Sequence, residues 1–125
     1  MDLKKYFYDV KGMGVLSTAD ARGKVNAAVY SRPHVLEDGT LGFIMAHRLT
    51  HANLESNPSA VYLFKEQGPG WGGKRLYLRK VGENDDSQLI ESMRRRRYSP
   101  DAEETMSPLH LVIFEVETER PLVGA

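Results

Sequence analysis

The chain contains no cysteine. Disulfides, thiolate nucleophiles and zinc–sulfur sites are therefore excluded, and any redox chemistry must reside on a bound cofactor. Net charge is also lacking, because 17 basic residues balance 17 acidic ones. Without a global field, nucleic acid or anionic membrane would have to find a local patch, and neither is expected as a partner. No apolar run approaches the roughly 20 residues of a membrane span. The opening MDLKKYFYDVKGMG is charged and lacks the apolar segment of a secretory signal, so a cytoplasmic location is expected. Aromatic residues are sparse at 9 %, with a single tryptophan, Trp71.

What remains is a 125-residue sequence of ordinary globular composition, expected to form one domain over residues 1–125. Leu3, Tyr6, Phe7 and Val10 recur at helical spacing, and Gly12 and Gly14 punctuate the chain beyond them. Val15–Ala19 and Val25–Val35 read as a hairpin about Asp20-Ala21-Arg22-Gly23. In its second strand Val25, Ala27 and Val29 share one face, and Asn26, Ala28, Tyr30 and Arg32 the other. Leu41–Ala46 is a third strand. A helix over 49–56 stops before Asn57-Pro58, because proline restricts the residue preceding it. Ala60–Lys65, Leu76–Val81 and Leu109–Glu117 are further strands. A helix over 85–97 places Asp85 and Asp86 first and Arg94 to Arg97 last, as the helix dipole favours, and Ser99-Pro100 with an acidic stretch ends it. The class is mainly β (α+β): a six-stranded antiparallel barrel whose openings are covered by short helices.

Several motifs carry chemistry on their face. Gly68, Gly70 and Gly73 match G-x-G-x-x-G, and Gly68, Gly73 and Lys74 match the start of a P-loop. Arg75 stands where a P-loop needs Ser or Thr, and the loop opens a strand instead of a helix, so neither nucleotide site is expected. Trp71 at its tip could pack in the core, on a partner subunit or on a flat cofactor ring. His47 and His51 stand four apart, but Arg48 occupies the place of the zincin glutamate, and no metal is expected. His34 and His110 fall in strand patterns as partly buried polar residues. Arg94 to Arg97 span more than one helix face, with Asp101, Glu103 and Glu104 nearby, and read as a solvated helix end. The stretch Met45–Pro58 is the most informative. A strand ends, Arg48 and Thr50 come next, and a short helix begins. Helix amides, a guanidinium and a hydroxyl suit a phosphate monoester, although Thr50 could equally be a simple N-cap.

In its order of elements the chain resembles the pyridoxamine 5′-phosphate oxidase-like FMN-binding split-barrel family, especially its small single-domain bacterial members. The resemblance is carried by Gly14-Val15-Leu16-Ser17-Thr18, the Gly23 turn, Val25-Asn26-Ala27-Ala28-Val29-Tyr30, Asp38-Gly39, and Arg48-Leu49-Thr50-His51-Ala52-Asn53-Leu54 closing on Asn57-Pro58. It implies a split β-barrel that binds FMN as a homodimer, with the cofactor at the subunit interface. Asn26, Ala27, Ala28, Val29, Tyr30 and Ser31 would lie along the flavin and ribityl chain. Met45, Ala46, Arg48, Leu49 and Thr50 would hold the ribityl phosphate. Where Leu49 stands the family commonly has a basic residue, and Arg48 is its neighbour. Trp71 would reach the cofactor from the partner subunit. The implied activity is that of an FMN-dependent oxidoreductase on an unidentified small molecule. Alternatives are a non-catalytic flavin carrier or sensor, or a haem- or deazaflavin-binding barrel. Vitamin B6 oxidation is not expected, because the longer C-terminal region of the true oxidases has no counterpart before Ala125. Tyr30, His47 and His51 are possible proton-transfer groups, none of them assigned.

Overall fold

The computed structural model describes residues 2–97 and 108–124, without the side chains of 95–97. Along the chain run α1 (Leu3–Asp9), β1 (Gly12–Ala19), β2 (Val25–Tyr30), β3 (His34–Val35), β4 (Leu41–Ala46), α2 (Leu49–Ser56), β5 (Ser59–Glu66), β6 (Gly73–Asn84), α3 (Ser87–Arg97) and β7 (Leu109–Pro121). The strands form one sheet in the order β2-β1-β5-β6-β7-β4-β3. Every ladder is antiparallel.

This is seven strands, one more than expected. The apolar alternation from Val25 to Val35 reads as one strand, but Pro33 is buried within it and has no N–H to donate. The ladder with β1 ends at the Gly14–Tyr30 pair, and the chain then pairs with β4 through His34 and Val35. One strand has become members of the two opposite sheet edges. Among the described residues no ladder joins those edges. The gap between them is bridged by Tyr30 of β2, whose ring meets Phe43 of β4 edge-on at 6.1 Å. The barrel is therefore split along this seam.

Period-two alternation fills the interior. Tyr62 and Phe64 of β5, Leu76 and Leu78 of β6, Phe43 of β4, and Val112 and Phe114 of β7 are all buried. Phe7 of α1 closes one end, 5.3 Å from the Phe64 ring. The guanidinium of Arg32 anchors the end of that helix, donating to the carbonyls of Phe7 at 2.7 Å and Val10 at 3.2 Å. Ile90 and Met93 of α3 pack on the outer face of β7 against Leu111. Asp86 caps α3, its carboxylate accepting from the amides of Gln88 and Leu89. Arg94 pairs with Glu91 at 3.6 Å. The expected stop at Ser99-Pro100 and the acids Asp101, Glu103 and Glu104 lie outside the described residues. Among the described residues, no helix is long and apolar enough to cross a membrane.

Candidate functional site: the amino end of α2 and strand β2

Helix α2 succeeds β4 after a two-residue turn, in which the Arg48 N–H donates to the Ala46 carbonyl at 2.8 Å. The helix starts at Leu49 with Arg48 as N-cap, and Arg48 makes no side-chain capping bond. Thr50 is thus inside the first turn, which removes the reading of Thr50 as a simple N-cap. The first helical bond runs from the Ala52 N–H to the Arg48 carbonyl at 2.9 Å. The N–H groups of Leu49, Thr50 and His51 precede it and carry the positive end of the helix dipole.

Three side chains meet at this end. Thr50 is only 5 % exposed, and its hydroxyl accepts from Asn26 Nδ2 of β2 at 3.4 Å. The same hydroxyl hydrogen-bonds the phenol of Tyr30, and the positive charge of Arg48 acts on that phenol. Burial nevertheless dominates and pushes the Tyr30 hydroxyl above its usual range, with the Thr50 bond and Arg48 opposing. Beneath them the Asn53 amide donates to the Thr18 hydroxyl at 3.1 Å, a buried bond that fixes α2 to β1. Neither Thr18 nor Asn53 was among the expected site residues. Both look like ordinary strand and helix positions until the helix is docked.

The two faces of β2 divide the residues expected along the flavin. Asn26, Ala28 and Tyr30 are half-buried and turn towards α2 and the seam, whereas Ala27, Val29 and Ser31 are exposed. Met45 belongs to the core, and Ala46 beside it is half-buried. Leu49 is 59 % exposed, an apolar side chain at the mouth of a cationic turn. Trp71 is 74 % exposed and is not brought to this group within one chain. Its loop comes after Glu66, which pairs with Gly12 at one end of β1, whereas Asn26 pairs with Thr18 at the other. The Gly12-to-Thr18 length of strand puts them about 20 Å apart.

Behind α2 lies a second polar group. His51, 2 % exposed, faces His110 of β7 with the rings stacked 4.0 Å apart, and His47 completes a trio. Glu83 at the end of β6 accepts from His51 Nε2 at 2.9 Å and lies 3.1 Å from His110 Nδ1. Asp85 accepts from His110 Nδ1 at 2.9 Å, and this bond holds its carboxyl below the usual carboxylate range. A separate cleft of about 450 Å³ opens between α1, Arg32–Leu36 and Met93. None of Asn26, Arg48 or Thr50 lines it.

No protein-family model matches the sequence, and no curated protein matches it either. Solved structures do. An FMN-binding protein from Syntrophomonas wolfei superposes with a TM-score of 0.74 at 19 % identity, over 99 % of this chain and 86 % of that one. An F420 reductase gives 0.71 at 14 % identity, over 93 % and 94 % of the two chains. A putative pyridoxamine 5′-phosphate oxidase from Listeria innocua gives 0.62 at 21 % identity, over 88 % and 87 %. At such identities the likeness is one of fold, and the chain has the split β-barrel fold of the pyridoxamine 5′-phosphate oxidase-like proteins.

Proposed function

We propose that the protein is an FMN-binding flavoprotein that works as a homodimer and serves as an oxidoreductase towards a small molecule. The observation that carries this reading is the grouping of Thr50, Asn26 and Tyr30 at the first amides of α2, with the exposed Arg48 as the helix's N-cap residue. A guanidinium, a hydroxyl and the positive end of a helix form a receptor for a phosphate dianion, and FMN presents one. The FMN-binding protein with the same fold supports the choice of ligand.

The residues divide the work. Arg48 and Thr50 bind the phosphate, and Asn26 orients the Thr50 hydroxyl. The backbone of β2 from Asn26 to Ser31 lies along the ribityl chain and ring edge. Tyr30, a phenol neutral at physiological pH and pushed further from ionising by burial, offers a hydrogen bond without adding negative charge beside the phosphate. When bound, the flavin supplies hydride and single-electron chemistry, and the protein supplies placement and hydrogen bonding.

The outer face of the same strands supports the dimer. Val25 is 80 % exposed, Val29 69 % and Leu63 37 %. Val29 pairs with Val15, and Val15 with Leu63, so these side chains form a continuous apolar row across β2, β1 and β5. A second copy seated on this row is the source proposed for the Trp71 loop at the cofactor, because within one chain Trp71 stays exposed and distant from Asn26. The test is to release the cofactor from the purified protein, identify it by mass, and titrate apoprotein with FMN, riboflavin and F420. FMN recovered and bound in preference to riboflavin is the expected result. A colourless protein that takes up no FMN would overturn the proposal, and preferential uptake of F420 would reassign the ligand.

A further inference from the structure

The histidine cluster behind α2 has no part in the flavin reading and stands without it. His47 lies in the turn after β4, His51 on α2 and His110 on β7. One ring nitrogen from each lies within 4.8 Å of the other two. The nitrogens are already differentiated. Glu83 and Asp85 take the N–H of His51 Nε2 and of His110 Nδ1. These bonds leave the lone pairs on His51 Nδ1 and His110 Nε2. Both atoms are buried and have no hydrogen-bond partner among the described residues. Glu55 is the nearest acid to His51 Nδ1, at 3.9 Å, too far for a hydrogen bond.

Two buried, unpartnered lone pairs, each backed by a carboxylate on the other ring nitrogen, are what metal-binding histidines require. We propose that His47, His51 and His110 bind one divalent transition-metal ion, zinc being the fitting occupant. Glu83 and Asp85 act as the outer carboxylates that set the ring tautomers. Three imidazoles suit zinc and leave at least one coordination position open. Glu83 is a partner and not a ligand, because its carboxylate is already shared between the two imidazoles and Lys80, 3.3 Å away. Arg48, next to His47, is exposed, so solvent screens its charge.

The ion would tie α2 to β7, and through Glu83 to β6, immediately behind the turn that presents Arg48 and Thr50. Loading also requires a movement. The His51 and His110 planes now lie 19° apart, and the lone pairs of nearly parallel rings do not converge on one ion. The rings must open on binding.

The experiment is zinc titration of tag-free, chelator-stripped full-length protein, with stoichiometry by elemental analysis. One zinc per chain at micromolar affinity or tighter is expected, and saturation with Co²⁺ should give the intense visible bands of a four-coordinate site with three nitrogen ligands. His51→Ala and His110→Ala should abolish saturable uptake, and Glu83→Gln should weaken it by roughly 10- to 100-fold. His34→Ala, outside the cluster, should leave it unchanged. Wild-type protein that binds neither ion overturns the proposal whether or not the variants fold. So does zinc uptake that survives loss of His47 and His51 but not of Glu83, which would place the ion on the carboxylate side of His110.

Discussion

Replacing Arg48 and Thr50 together by alanine removes a guanidinium and a hydroxyl from the mouth of α2 while leaving the helix amides in place. Hydrogen bonds to a charged group contribute about 1.5–3 kcal/mol each. The pair therefore amounts to roughly 3–6 kcal/mol, or about 10²- to 10⁴-fold in the FMN dissociation constant. The two changes differ in their side effects. Arg48 is exposed and makes no capping bond, so its loss should cost the fold little. Thr50 is buried and its hydroxyl serves both Asn26, at a long 3.4 Å, and Tyr30, so its loss should cost about 1–3 kcal/mol of stability. The assay is fluorescence-quenching titration of the apoprotein with FMN and with riboflavin. Wild type should prefer FMN, and the double variant should bind the two alike, because only the phosphate has lost its partners. Raising the ionic strength should weaken FMN binding to the wild type more than to the variant. A folded double variant that binds FMN within about threefold of wild type, an effect below 1 kcal/mol, would refute the assignment of this turn as the phosphate site.

Three further outcomes are expected. Val29→Asp puts a charge in the exposed apolar row of β2, and should shift the protein from dimer to monomer in light scattering with an unchanged circular dichroism spectrum; an undisturbed dimer would move the interface elsewhere. Gly14→Ala would place its Cβ 1.9 Å from the hydroxyl of Tyr62, which is fully buried and donates to the Tyr30 carbonyl, so overpacking should cost about 1–3 kcal/mol and lower Tm by roughly 5–15 °C in a thermal melt. The Tyr30 hydroxyl is held above its ordinary value of 10.0 chiefly by burial, so the folded state keeps that proton more tightly than the unfolded chain. Its contribution to stability is complete below pH 10, is lost as pH rises through the folded-state value, and should disappear from the pH profile of denaturant midpoints in Tyr30→Phe.

Where local chemistry decides the structure, the sequence is a good guide. Helix α2 ends at Ser56 as Asn57-Pro58 requires, and α3 begins behind its acidic cap. The failures are non-local. Gly12 and Gly14 read as punctuation yet lie inside β1, because added Cβ atoms would meet the Lys65 carbonyl at 2.1 Å and the Tyr62 ring. They are gaps in one strand filled by the next. Val25–Val35 has an unbroken strand pattern, and only the paired neighbours reveal that Pro33 divides it between two sheet edges. Arg48 and Thr50 were legible as candidates, since a strand–turn–helix junction with those residue types implies anion chemistry, whereas Asn26 came only with the family resemblance. Thr18 and Asn53 were not, because their bond exists only after docking. His110 was likewise unreadable as a neighbour of His51, since a strand far along the chain brings it there.

The seam between β2 and β3 has a consequence for exchange. A closed barrel admits a guest only at its ends or by breaking rungs. Here the two margins meet through a Tyr30–Phe43 ring contact, with no ladder to break among the described residues. A planar molecule can slide in edgewise while the other strands keep their register. Loading and release are thereby uncoupled from global unfolding, so apoprotein should refill in a single fast step, with its amide protection elsewhere unaltered.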